Sequence, residues 1–175
     1  MSEDTSRRVR YWRPKRVVSA ARAEAQIAVE ELIGLYLVDM HRAFGFQCLV
    51  FVEEPISLGQ DPASVREAAI HLAGRWRMTD GAGFTLCSGH FGPKNARRDA
   101  HANSFYSRLE EDPYRVEWAK VAVNGTLTVG FNDGLILKKP SRPKFQRFHE
   151  EWRYMPLDQE RPHMVLDWHG LAWSP

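Results

Sequence analysis

VEWAKVAVNGTLTVGFNDGLILKK, residues 116–139, is the stretch from which the fold can be read. Two alternating runs, Val116–Val123 and Thr126–Phe131, flank Asn124-Gly125, a dipeptide that favours a two-residue type I′ turn because both of its residues tolerate positive φ. Such a turn pairs Val123 with Thr126. It puts Trp118, Ala122, Leu127, Val129 and Phe131 on one face and Ala119, Thr126, Thr128 and Gly130 on the other. Asn132-Asp133-Gly134 then turns the chain into Leu135–Lys138. The reading is an antiparallel meander, the centre of a sheet.

Towards the N-terminus, Arg75–Thr79 and Gly83–Ser88 flank Asp80-Gly81 and predict a second hairpin. Asp61-Pro62 has the chemistry of a helix start, a capping carboxylate followed by a residue whose fixed φ suits the first turn. Val65, Ala69 and Leu72 would line that helix and Gly74 would end it. Phe46–Val52 reads as a buried strand. Ala25, Val29, Leu32, Tyr36, Met40 and Ala43 recur at helical spacing, which predicts a long helix from a cap at Ser19 to about Phe44, although Leu35–Val38 also fits a strand. Towards the C-terminus, Phe145, Phe148, Trp152 and Met155 predict a helix over Lys144–Met155, stopped by Pro156. His163–His169 alternates and reads as a last strand.

Few connections are long enough for parallel crossovers, so the expected class is α+β: a single domain with a mainly antiparallel curved sheet packed against a long N-terminal helix and two or three shorter helices. Six Trp, nine Phe and five Tyr point to a ring-lined core or pocket. The 175 residues suit one domain, and 43% hydrophobic with 26% charged residues is ordinary globular composition. The apolar run Leu32–Val38 falls far short of the ~20 residues of a membrane-spanning helix, and the N-terminus lacks a signal-peptide pattern. Cys48 and Cys87 make neither a disulfide framework nor a zinc spacing, so a cytoplasmic location is expected. No cofactor is implied.

Charge is unevenly distributed. Of 24 basic and 22 acidic residues, residues 1–16 hold six and two, leaving 18 and 20 in the rest of the chain. The sequence therefore divides into a basic arm, 1–16, and a nearly neutral body, 17–175. Arg7, Arg8, Arg10, Arg13, Lys15 and Arg16 supply cations for phosphates, and Tyr11 and Trp12 supply rings for unpaired bases. A second cluster, Lys138, Lys139, Arg142, Lys144 and Arg147, contains no acid. The expected function is polyanion binding, with nucleic acid the leading partner. An acidic protein that receives the arm, or a homo-oligomer exchanging it, is the interaction-subunit alternative.

The enzyme alternative is a small enzyme whose aromatic-lined pocket is served by Asp167, His169 and the 88–103 loop. Asp167 and His169 would share one face of a strand, where the carboxylate could orient the imidazole as a general base or half of a metal site. His163 stands roughly 20 Å from His169 on a straight strand and cannot share a metal with it. His90 or His101 would have to supply the rest, from an 88–103 loop that also carries Lys94, Arg97, Arg98 and Asp99 around Gly89 and Gly92. That loop could cradle a phosphate or cover a pocket. No nucleophile elbow, phosphate loop or metalloprotease helix is present.

Overall fold

A computed structural model describes residues 19–55, 65–91, 96–141, 150–167 and 170–174. Helix α1 covers Ser19–Glu30 and α2 covers Ala96–Glu111. The strands are β1 (Tyr36–Ala43), β2 (Phe46–Val52), β3 (Glu67–Leu72), β4 (Arg77–Thr79), β5 (Thr85–Cys87), β6 (Tyr114–Val121), β7 (Leu127–Phe131), β8 (Ile136–Lys139), β9 (Trp152–Met155), β10 (His163–Asp167) and β11 (Gly170–Ser174). They form one eleven-stranded sheet in the order β11-β10-β9-β3-β2-β1-β6-β7-β8-β4-β5, every pairing antiparallel. The class is α+β, with both expected hairpins and strand 46–52 in place. Among the described residues there are two α-helices, and the N-terminal one is short.

The long first helix is a misreading with a physical source. Helix α1 buries Ala25, Ala28 and Val29, and Leu32 continues that stripe into the turn beyond. Gly34, at φ +92°, then redirects the chain, donating its N–H to Val116 O at 2.9 Å. Leu35 O accepts from Val116 N at 2.8 Å, and the chain enters β1. A bulge between Leu37 and Asp39 leaves Leu37 and Met40, three apart, both buried. An extra residue in a strand thus imitates helical spacing. The expected helices at 61–74 and 144–155 are also corrected. Residues 67–72 and 152–155 are strands burying Ala68, Ile70, Leu72, Trp152 and Tyr154 at period two. The segments before each, 61–64 and 144–149, lie outside the described residues. Conversely, α2 occupies part of the expected 88–103 loop and buries Ala102, Phe105 and Leu109.

The meander forms, but one residue out of the expected register. Val121 pairs with Leu127, Ala119 with Val129 and Trp118 with Gly130. Ala122 and Thr126 flank a three-residue loop: Gly125 N donates to Ala122 O (2.8 Å), Ala122 N to Thr126 O (2.9 Å), and Thr126 N to Asn124 Oδ1 (3.0 Å). Gly125, at φ +82°, takes the left-handed position that closes such loops. Burial explains why this register wins. In the two-residue alternative Lys120 would share the inner face with Trp118. As formed, Ala119, Val121, Leu127, Val129 and Phe131 point inward, while Trp118, Lys120 and Thr128 point out. A slip of one residue inverts every side chain of β6 relative to β7, so a single lysine can decide it.

The sheet curls strongly. Five strands lie between β8 and β9 in the order, yet Lys139 at the end of β8 is ion-paired to Glu151 just before β9. Trp152 Nε1 donates to Gly125 O at 2.9 Å, and Gly125 packs against Leu166 of β10. Inside the curl Phe51, Phe131, Tyr114, Phe105 and Phe84 form a continuous train of rings with centroid separations of 6.5, 6.1, 5.8 and 6.2 Å. The rings pack on one another, which uses the aromatic content in core cohesion. No described helix is long and apolar enough to cross a membrane.

Candidate nucleic-acid interface

Antiparallel pairing transmits face as well as register, so the outer surface of the sheet can be read row by row. On the β6-β7-β8-β4-β5 half, Lys120 pairs with Thr128, Thr128 with Lys138, Lys138 with Arg77, and Arg77 with Cys87. Lys120, Lys138 and Arg77 are exposed, and no ion pair among the described residues involves them. Neighbouring strands are ~4.8 Å apart, so three cations fall within about 15 Å. Lys138 and Arg77 stand directly opposite each other, an arrangement that costs stability unless an anion neutralises it.

The adjacent row, two residues along each strand, is apolar. Trp118 pairs with Gly130, Gly130 with Ile136 and Ile136 with Thr79. Trp118 is 40% exposed and Ile136 37%. No acid stands in either row. Glu117 occupies the bulge beside Trp118, and Asp80 Oδ1 is taken up by the N–H groups of Ala82 and Phe84 in the β4–β5 turn.

The residues singled out in the sequence distribute unevenly over this surface. Lys138 lies on it. Lys139, the next residue, faces the opposite way: it is fully buried, donating from Nζ to Glu151 and to Pro140 O. Strand alternation splits the run that sequence reading treats as one cluster. Arg7, Arg8, Arg10, Tyr11, Trp12, Arg13, Lys15, Arg16, Arg142, Lys144, Arg147 and His169 lie outside the described residues. Lys120 and Arg77 were missed. They are scattered in sequence and converge only through strand order.

The residues of the enzyme alternative make local bonds. His90 Nδ1 accepts from Cys87 N at 3.1 Å in the 3-10 turn after β5, so its neutral form carries the proton on Nε2. Asp167 Oδ1 accepts from Gly170 N at 3.2 Å, and β10 ends at Asp167. Both side chains act as turn caps. No group of three or more His, Cys, Asp or Glu able to hold a metal occurs among the described residues.

A second row of titratable groups crosses the other half of the outer surface. His41, Cys48, His71 and Arg153 are successive partners across β1-β2-β3-β9. Asp39 Oδ2 lies 2.6 Å from His41 Nδ1, and Arg153 bonds Glu150 (2.7 Å) and His163 Nδ1 (3.1 Å). Burial lowers the pKa of His71, partly offset by Glu150, with Arg153, His163 and His41 adding to the lowering. Burial and Arg153 lower that of His163. Burial raises that of the Cys48 thiol, the reverse of what a reactive thiolate needs.

Comparison of the chain with family models, with curated proteins and with solved structures finds no match.

Proposed function

We propose that this protein binds a polyanion, nucleic acid foremost, through its basic arm and the outer face of β6-β7-β8-β4. The observation carrying this reading is the acid-free row Lys120–Thr128–Lys138–Arg77, in which two cations oppose each other across adjacent strands with no ion-pair partner among the described residues. A fixed row of cations on a rigid sheet orients a phosphate backbone, and a basic arm adds affinity by counter-ion release. The row extends the role of Lys138. The buried Lys139 leaves the interface and joins the core.

Fluorescence anisotropy with labelled oligonucleotides across a salt series tests the proposal. It compares the full chain, a chain lacking residues 1–16, and a Lys120→Gln/Lys138→Gln/Arg77→Gln triple variant. Six arm cations on duplex DNA contribute a log–log slope of about −5, and three sheet cations about −3. Loss of either group reduces the slope by roughly its share. No binding by the full chain at low salt would sink the proposal.

A further inference from the structure

The row next to the basic one carries a feature that phosphate binding alone does not use. A Cβ built on Gly130 would lie 2.1 Å from Trp118 Cε2, 2.2 Å from Nε1 and 2.6 Å from Cζ2. The indole therefore lies over the bare Gly130 backbone, in space that any other residue would fill. With 40% of its surface still exposed, Trp118 presents ring to solvent. Its position is set by the strand pair beneath it. Ile136, also exposed, follows across the next strand.

Trp118 and Lys120 are two residues apart on one face of β6, ~7 Å along the strand. An apolar stripe, Trp118 and Ile136, thus runs parallel to a cationic stripe, Lys120, Lys138 and Arg77. A ligand matching both has π-faces on one side and regularly placed anions on the other. Duplex DNA hides its base faces inside the stack and offers phosphate only. A single strand offers both, and base–aromatic stacking on a sheet is how such strands are held without dependence on sequence.

We infer that the outer face of β6-β7-β8-β4 is a single-stranded nucleic-acid platform, with a base stacking on Trp118 and phosphates against Lys120, Lys138 and Arg77. This rests on the polyanion reading above and narrows it to one ligand class. Gly130 holds the indole in place: a side chain there would displace it.

The test measures binding of labelled dT15, of a 15-bp duplex and of heparin by the full chain and by Trp118→Ala, Trp118→Phe and Gly130→Ala, each checked for a native melting transition. Trp118→Ala should weaken dT15 about tenfold, leave duplex and heparin within about twofold, and keep the wild-type salt slope. Trp118→Phe should retain most of the dT15 affinity, and Gly130→Ala should behave like Trp118→Ala. Trp118→Ala binding dT15 as the wild type does would overturn the platform, as would equal losses on all three probes. Wild-type binding to duplex and heparin but not dT15 overturns the platform and leaves the polyanion reading standing. Binding to none of the three removes both.

Discussion

Lys139 on β8 and Glu151 ahead of β9 are ion-paired across a sheet in which five strands lie between β8 and β9. The lysine has no solvent exposure, and the Glu151 side chain retains 16%. Pro140 O takes a further hydrogen bond from Nζ. The pair is thus a clasp on the curl of the sheet, placed where the meander's far end meets β9 and β10.

Glu151→Ala should strip the buried Lys139 ammonium of this carboxylate and cost about 3–5 kcal/mol. Lys139→Met/Glu151→Leu should cost much less, because removing both charges also removes their desolvation. Urea midpoints of the single and double variants, at constant m-value, check this. A double variant as unstable as the single one would show that the pair contributes specific attraction rather than mere neutralisation.

Stability should fall as pH is lowered from about 6.5, the unperturbed histidine value, with His71 a contributor. Its native pKa is lowered, chiefly by burial, so in acid the unfolded chain takes up the proton first. The contribution is complete above the unfolded pKa and is lost as pH falls towards the native one. The groups facing His71 are Glu150, Arg153, His163 and His41, with Cys48 across the strand. His71→Gln should flatten the stability profile between pH 7 and 5. An unchanged profile would assign the acid sensitivity to other groups.

Gly125 cannot accept a side chain without strain. Its φ is +82°, and an added Cβ would lie 2.8 Å from Leu166 Cδ2. The carbonyl of the same residue is the acceptor for Trp152 Nε1. Gly125→Ala should therefore cost about 1–3 kcal/mol from backbone strain, with the clash adding to it. Thermal and urea unfolding would register the loss, and a neutral substitution would mean that the loop relaxes away from β10.

The α+β class, the antiparallel meander and both hairpins were legible because Asn124-Gly125 and Asp80-Gly81 are local signals that tertiary context left in place. Register was not legible. It turned on keeping Lys120 in water, which requires summing burial over two strands rather than reading a turn dipeptide. The strands that resemble helices in sequence do so for two reasons: the β1 bulge sets Leu37 and Met40 three apart, and β3 and β9 continue helical spacings that begin upstream of them. The candidate interface was half legible. Lys138 was found, but Lys120, Arg77 and Trp118 are brought together only by the order β6-β7-β8-β4, which no local pattern encodes.

Glu31, just past α1, is one of the polar anchors of that helix on the sheet, beside Gln26, which bonds β6. Its carboxylate accepts from Tyr154 Oη at 3.1 Å and from both terminal nitrogens of Arg161, at 3.0 and 2.8 Å. Burial, with Glu31 beside it, raises the pKa of Tyr154, so the phenol stays protonated and donates. Arg161 is half-exposed, and solvent screening limits its share of the stability to below about 1 kcal/mol. Glu31→Ala should cost about 1–3 kcal/mol because it strips a buried hydroxyl of its acceptor. Tyr154→Phe removes donor and demand together and should cost about 1 kcal/mol, with Arg161→Ala at or below that. Urea midpoints give the ranking directly. Arg161→Ala proving the most damaging would place the anchor in the surface ion pair instead of the buried hydroxyl.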